Sequence, residues 1–323
     1  NNIMKWVLKK SNKKIIKFNK DFNLSPLITN LLNNRAFATF DELDRFLNPS
    51  TKYFHNPFLM KGMEKSIRRI FKAMSLNETI FILGDSDADG ISAASIIFNQ
   101  LKEQGGKVKA LILNREEDGR GLSKKLIKKV LKVNSAVLIT CDLGINDHDL
   151  IDFATKNGVD VIIVDHHIPF KKKSSAFSII NPKQVNCVYP FKELSASGIA
   201  LKLVQGMEKF KSKNLLENND AVSLAMLGTI SDMVPLRGEN RLIVSIGLKN
   251  LKGIKNTGLK IFLKKKKQRQ SYYSFLTSSI IPMVNSTARI GDSNKALELL
   301  TNKKNEKTKL LYSQLKSINE SRI

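Results

Sequence analysis

The chain has 323 residues, and its 54 Lys plus Arg outnumber 29 Asp plus Glu, which leaves a formal charge of +25. With 42% hydrophobic and 26% charged residues, it has the composition of a folded globular protein and not of a disordered one. No apolar run approaches the ~18–20 residues of a membrane span, and two cysteines, Cys141 and Cys187, cannot build a disulfide framework or a thiolate zinc site.

The opening NNIMKWVLKK has neither the apolar core nor the cleavage site of a signal peptide, so a reducing, cytoplasmic setting is expected, with no membrane partner. The basic excess points to a polyanionic partner, since Lys and Arg neutralise phosphates and release their counterions. Charge alone does not separate DNA from RNA or from a small anion.

Residues 1–55 read as a helical preface. Ser25-Pro26 supplies a cap and a first-turn residue, Asp41 and Glu42 open a second helix, and Asn48-Pro49 ends it. Residues 56–195 alternate amphipathic helices with short apolar strands: ETIFILGD, KVKALIL, SAVLITCD and VDVIIVDHH. Fully apolar strands separated by helices predict a mostly parallel, doubly wound α/β sheet. Residues 196–300 read as mainly helical, in SGIALKLVQGMEKF, DAVSLAMLGTISDM and NRLIVSIGLKNLK. Residues 301–323 read as an amphipathic helix that stops without a cap, as expected of a fragment of a longer chain.

Three strands finish in acid. The first gives Asp85, Asp87 and Asp89 in GDSDADG, the third gives Asp142 in TCDLGI, and the fourth gives Asp165 with His166 and His167. Ligands of open α/β sheets bind beyond the carboxyl ends of the strands, so these groups should converge on one edge. Clustered carboxylates repel one another and need cations to persist. Oxygen-rich ligands with an imidazole or two suit Mn²⁺ or Mg²⁺, which points to a pair of ions ~3.5–4 Å apart clamping a phosphoryl group. DSDADG also opens like a calcium-binding EF-hand loop, but the twelfth position, where a Glu is required, is Ile96, and the loop follows a strand.

GDSDADG, the isolated Asp of TCDLGI, VDHH, and Asp232 in LGTISDMVPL together resemble the four motifs of the DHH phosphoesterase superfamily. Within it, the match is to the single-strand-specific 5′→3′ DNA exonucleases. The likeness extends in order through LLNNRAFATFDELDRFL, NREEDGRGL, IINPKQ, SASGIALKL, ENRLIVSIGL and PMVNSTARIGD, and covers roughly residues 27–323. The resemblance implies metal ligation by Asp85, Asp87, Asp142, His166 and Asp232, all with a catalytic role, and two Mn²⁺ or Mg²⁺ ions. It implies that His167 contacts the scissile phosphate, that Arg115 and Arg289 bind phosphate, and that Asp89 and Asp165 orient their neighbours.

Three positions depart from the family pattern. Ser86 stands where Tyr is usual, Leu143 where Asn is usual, and Ala288 where the NAxGR segment has Gly. None removes an implied ligand, but each bears on substrate fit. The function implied is metal-dependent exonucleolytic hydrolysis of single-stranded DNA in repair and recombination, by a monomer working with single-strand-binding protein or helicase. Two alternatives stand beside it: a DHH phosphoesterase acting on oligoribonucleotides, cyclic dinucleotides or pyrophosphate, and a non-catalytic DHH replication factor. The second is disfavoured because every implied ligand position is intact.

Overall fold

The computed structural model describes residues 22–35, 37, 39–119, 121–172, 174–211, 219–290 and 292–321, with backbone alone at 33, 117, 219, 289 and 290. The chain divides into two compact units between Ser50 and Thr51. In the smaller, α1 (Pro26–Asn33) begins at Ser25, whose hydroxyl accepts from the Ile28 N–H, and α2 (Phe40–Leu47) carries Asp41 and Glu42 in its first turn. Leu32 and Leu43 are buried there among Phe22, Phe37 and Phe46.

The larger unit alternates α3 (Met63–Ser75), β1 (Thr79–Gly84), α4 (Ala88–Glu103), β2 (Val108–Ile112), the single turn α5 (Arg115–Asp118), α6 (Lys124–Lys132), β3 (Ser135–Cys141), α7 (His148–Lys156) and β4 (Asp160–Val164). A fifth strand, β5 (Ser178–Ile180), closes the sheet. It was not expected from the sequence, because three residues are too few to show a period. All neighbouring strands are parallel, in the order β2-β1-β3-β4-β5.

Side chains along each strand alternate between two cores. Ile80, Ile82, Val137, Ile139, Ile162 and Val164 enter the larger one. Phe81, Leu83, Leu138, Val161 and Ile163 enter the other, where Ile127 and Val130 of α6 and Ile151 of α7 cover them. This two-sided burial is why the strands read as unbroken apolar runs, and it makes the predicted doubly wound α/β architecture the observed one.

Beyond residue 195 the chain is helical: α8 (Ala196–Phe210), α9 (Asn219–Ser231), α10 (Gly238–Asn250), α11 (Thr257–Leu263), α12 (Tyr272–Phe275), α13 (Ile281–Ile290), α14 (Asn294–Thr301) and α15 (Asn305–Glu320). Helices α8 and α9 pack on α4 and on each other, and α15 packs on α11, α13 and α14. No helix among the described residues is long and apolar enough to cross a membrane.

The chain runs from β1 outward to β2 and then returns to the other side of β1 to form β3. That reversal opens a crevice beyond the carboxyl ends of β1 and β3, where an open α/β sheet binds its ligand. The residues that follow these two strands are Asp85 and Asp142.

Candidate metal centre

Each strand stops one residue short of its acid, so the carboxylates belong to the loops at the sheet edge. Asp85 N–H still donates to the Cys141 carbonyl at 3.0 Å, and Asp142 N–H to the Val164 carbonyl at 2.9 Å, which extends the ladder just far enough to fix both side chains. Asp142 has φ 65°, a left-handed conformation that a non-glycine residue adopts at a cost. Asp87 caps α4, its Oδ1 accepting from the N–H groups of Asp89 and Gly90 at 3.1 Å. Gly90 is required in that turn: a Cβ there would lie 2.6 Å from the Asp85 carbonyl oxygen.

Donor atoms gather in three overlapping groups, each within 4.8 Å: Asp85, Asp87 and Asp142; Asp142, His166 and His167; Asp89, His166 and Asp232. His166 Nε2 stands 3.3 Å from Asp142 Oδ1 and 3.6 Å from Asp232 Oδ2, and so joins the sheet edge to the helical half. Asp232 therefore reaches the cluster from the loop just past α9. The structure thus brings together all five residues implied as ligands, with His167 at the same edge.

The orienting acids are separately engaged. Asp165 Oδ1 accepts from the backbone N–H of His167 at 3.0 Å and lies 2.7 Å from its ring Nδ1, while Oδ2 accepts from Ile145 N–H. Asp89 accepts from the Ala196 and Ser197 N–H groups at 2.7 and 3.0 Å, binding α4 to the first turn of α8. Gly228 makes room for this join, since a Cβ there would lie 2.4 Å from Asp89 Oδ1. Arg115 sits over the first motif, 3.1 Å from Asp85 Oδ2 and 3.8 Å from Asp87 Oδ2. The Arg289 side chain lies outside the described residues.

Two site residues were not singled out from the sequence. Asn285, at the head of the NSTAR segment, accepts from Ala88 N–H at 2.8 Å and donates to Ser231 Oγ at 3.4 Å. It staples the start of α4 to the residue before Asp232. Lys183, in the INPKQ segment, has its backbone N–H on Asn181 Oδ1 at 2.8 Å, and Asn181 donates to the His167 carbonyl at 2.9 Å. The Lys183 charge acts on both His166 and Asp232. Their segments were visible as family-like strings, but only the folded chain shows what these two residues touch.

Electrostatics mark the cluster as incomplete without cations. Burial, reinforced by Asp89 and Asp87, drives the Asp142 carboxyl well above the usual range and that of Asp232 up to about 7. Burial also raises Asp87, with Asp85 and Asp89 adding repulsion, and lowers His166. His167 moves the other way, because its hydrogen bond to Asp165 favours the imidazolium. Asp142 Oδ1, Asp232 Oδ2 and His166 Nδ1 are buried with no hydrogen-bond partner among the described residues. Crowded, unpartnered carboxylate oxygens beside one imidazole are the donor set of a hard divalent cation, so the residues fit such an ion.

Residues 79–229 match the model of the DHH family, N-terminal domain. Asp232 lies just beyond the matched span. Within that family the similarity is to RecJ: the chain is 32% identical to the single-stranded-DNA-specific exonuclease RecJ of Bacillus subtilis, over 99% of this chain and 40% of that protein. The Escherichia coli RecJ is 27% identical over 93% of this chain and 53% of its own length. A crystal structure of exonuclease RecJ bound to manganese matches with a TM-score of 0.75 at 27% identity, over 81% of this chain and 66% of that one. The Mn²⁺ complex of RecJ from Thermus thermophilus shares the fold, with a TM-score of 0.81 over 96% of this chain and 44% of that one. The chain spans about half the length of the curated relatives it matches.

Proposed function

We propose that this chain is the catalytic part of a metal-dependent phosphodiesterase, a RecJ-like 5′→3′ exonuclease that degrades single-stranded DNA in repair and recombination. The observation that carries the reading is the meeting of Asp85, Asp87, Asp142, His166 and Asp232 at the sheet's switch point, with buried oxygens left unpartnered. These five would hold two Mn²⁺ or Mg²⁺ ions, which when bound polarise a phosphoryl oxygen and lower the pKa of water.

The remaining roles follow from the protein's own groups. Asp165 fixes the His167 ring through Nδ1 and favours its charged form, which suits a contact to a non-bridging phosphate oxygen. Arg115 now neutralises Asp85 and Asp87; its guanidinium, partly exposed, has donors to spare for phosphate. Arg289 would bind phosphate from the end of α13. Asp89 and Asn285 hold the first-motif turn, α8 and the Asp232 loop in register, so that charges from distant segments keep one geometry. We further infer a cytoplasmic monomer to which single-strand-binding protein or a helicase delivers the strand.

The test is cleavage of 5′- and 3′-labelled single-stranded DNA, RNA and duplex DNA with Mn²⁺. Release of mononucleotides from the 5′ end of single-stranded DNA, stopped by chelation, is expected. Cleavage only of dinucleotides or pyrophosphate, or strand binding without cleavage, would replace the reading.

A further inference from the structure

Three large apolar side chains stand in solvent beside the cluster of acids: Ile168 is 74% exposed, Phe170 67% and Met233 88%. Ile168 directly follows His167, and Met233 directly follows Asp232, so both flank the donor groups themselves. Large apolar side chains left exposed this close in sequence to the charged groups of a site are where a binding surface is to be sought.

The rim is also held in place. Asn146, on the loop that follows Asp142, donates to the Ile168 carbonyl at 3.2 Å and accepts from the Phe170 N–H at 2.8 Å. That double clasp fixes the loop after β4 to the loop after β3. Met233 has φ 56°, in the left-handed region that a long side chain seldom adopts. Exposed, strained and next to Asp232, it is presented outward by its backbone.

Cations complete the surface. Lys183 makes no ion pair among the described residues, and its backbone is tied through Asn181 to the His167 carbonyl. Lys171, next to Phe170, is exposed.

We propose that Ile168, Phe170 and Met233 form a platform for an unpaired base of the substrate, and that Lys183 holds the phosphate of the same nucleotide. This deepens, and rests on, the reading of the site as a phosphodiesterase of single strands. Its consequence is selectivity: only an unpaired base has a face free to cover the rim, whereas a paired base hides its faces in the duplex stack. These are positioning residues, distinct from those that hold metal.

The test uses Mn²⁺-loaded protein and single-stranded oligonucleotides, normal or abasic at successive positions from the 5′ end. For Phe170→Ser combined with Met233→Ser, KM on normal strands should rise roughly five- to fifty-fold, the scale of losing base stacking, and the loss should fall on KM rather than kcat. An abasic site at the platform should raise KM for the parent protein but add little in the double variant. Lys183→Ala should raise KM on both strands, and Lys183→Arg should restore most of it. Phe170→Ser and Met233→Ser replace exposed apolar side chains, so thermal melting of the double variant should match the parent. Unchanged KM in the double variant, or equal abasic penalties in variant and parent, would overturn the platform. A variant defect that appears only with an added protein partner would assign the rim to protein docking and overturn it too. If the parent cleaves no single strand at all, the phosphodiesterase reading falls and the platform with it.

Discussion

Two clusters of buried charge lie within the larger unit and follow opposite rules. Around Glu239 every strong group is answered: Oε1 accepts from Lys202 Nζ and from the His55 N–H, both at 3.0 Å, and Oε2 accepts from the Tyr189 hydroxyl at 2.5 Å. Lys202 Nζ also donates to the His55 carbonyl at 2.7 Å. Around Asp142, carboxylates face carboxylates, two of their oxygens have no hydrogen-bond partner among the described residues, and Arg115 covers only the outer pair. A closed network locks α8 to α10 and to the segment before α3. An open one costs stability and is kept open for a ligand.

The largest effect expected is on catalysis. Asp142→Ala should lower single-strand cleavage by about 10²–10³-fold or more, the scale of removing one preorganised charge from an active site. Its melting temperature should equal or exceed the parent's, because a buried carboxylate repelled by its acidic neighbours is gone. Lys202→Met should do the reverse. Leaving Glu239 buried without its cation should cost about 3–5 kcal/mol of stability, read as a lower melting temperature or denaturation midpoint. Replacing Lys202 and Glu239 together with apolar residues should recover much of that loss. If Asp142→Ala unfolds the protein as readily as Lys202→Met does, the two clusters are not opposites.

Metal sharpens the contrast. Mn²⁺ added to chelator-treated protein should raise stability by about 2.7 kcal/mol at a hundred times its dissociation constant. The Lys202→Met protein should gain as much from its lower starting point, and Asp142→Ala should gain far less. Equal gains in parent and Asp142→Ala would place the ion elsewhere, and calorimetric titration would then locate the true stoichiometry.

The closed cluster was the harder of the two to see in the sequence. Tyr189, Lys202 and Glu239 lie in three separate segments and carry no shared pattern, so nothing short of the fold assembles them. The open cluster left a trace, because each apolar strand ends in acid and the carboxyl ends of parallel strands share one edge. What the strand pattern could not supply was order: that β3 and not β2 neighbours β4 depends on crossover geometry, which local periodicity does not encode. Asp232 joined the candidate set through resemblance, since its helical segment carries no metal-binding spacing of its own. Lys183 and Asn285 were passed over because their contacts reach across long stretches of chain, Asn285 meeting Ala88 and Lys183 meeting His167 only through Asn181. Strand β5 escaped for a simpler reason, its three residues being indistinguishable from an apolar loop.

The smallest effect separates the clusters by pH in the metal-free protein. The Asp232 carboxyl is raised to about 7 and Asp142 and Asp87 are raised with it, chiefly by burial. Between the ordinary carboxylate range and about 7, the folded chain therefore holds protons that the unfolded chain has released. Stability should fall as pH rises through that window, because the unfolded state there binds fewer protons. After solvent screening of the partly exposed Asp232, its share should be about 1–2 kcal/mol. Asp232→Asn should flatten the slope, while Lys202→Met should keep it and only lower the whole curve. Saturating Mn²⁺ should flatten or invert the slope in the parent, since ligation requires the ionised carboxylates that rising pH supplies. Chemical denaturation from pH 5 to pH 8, with chelator and with Mn²⁺, measures all of these. A slope that survives Asp232→Asn unchanged would mean that Asp232 does not set the pH dependence of the fold, and the description of that cluster as open would have to rest on Asp142 and Asp87 alone.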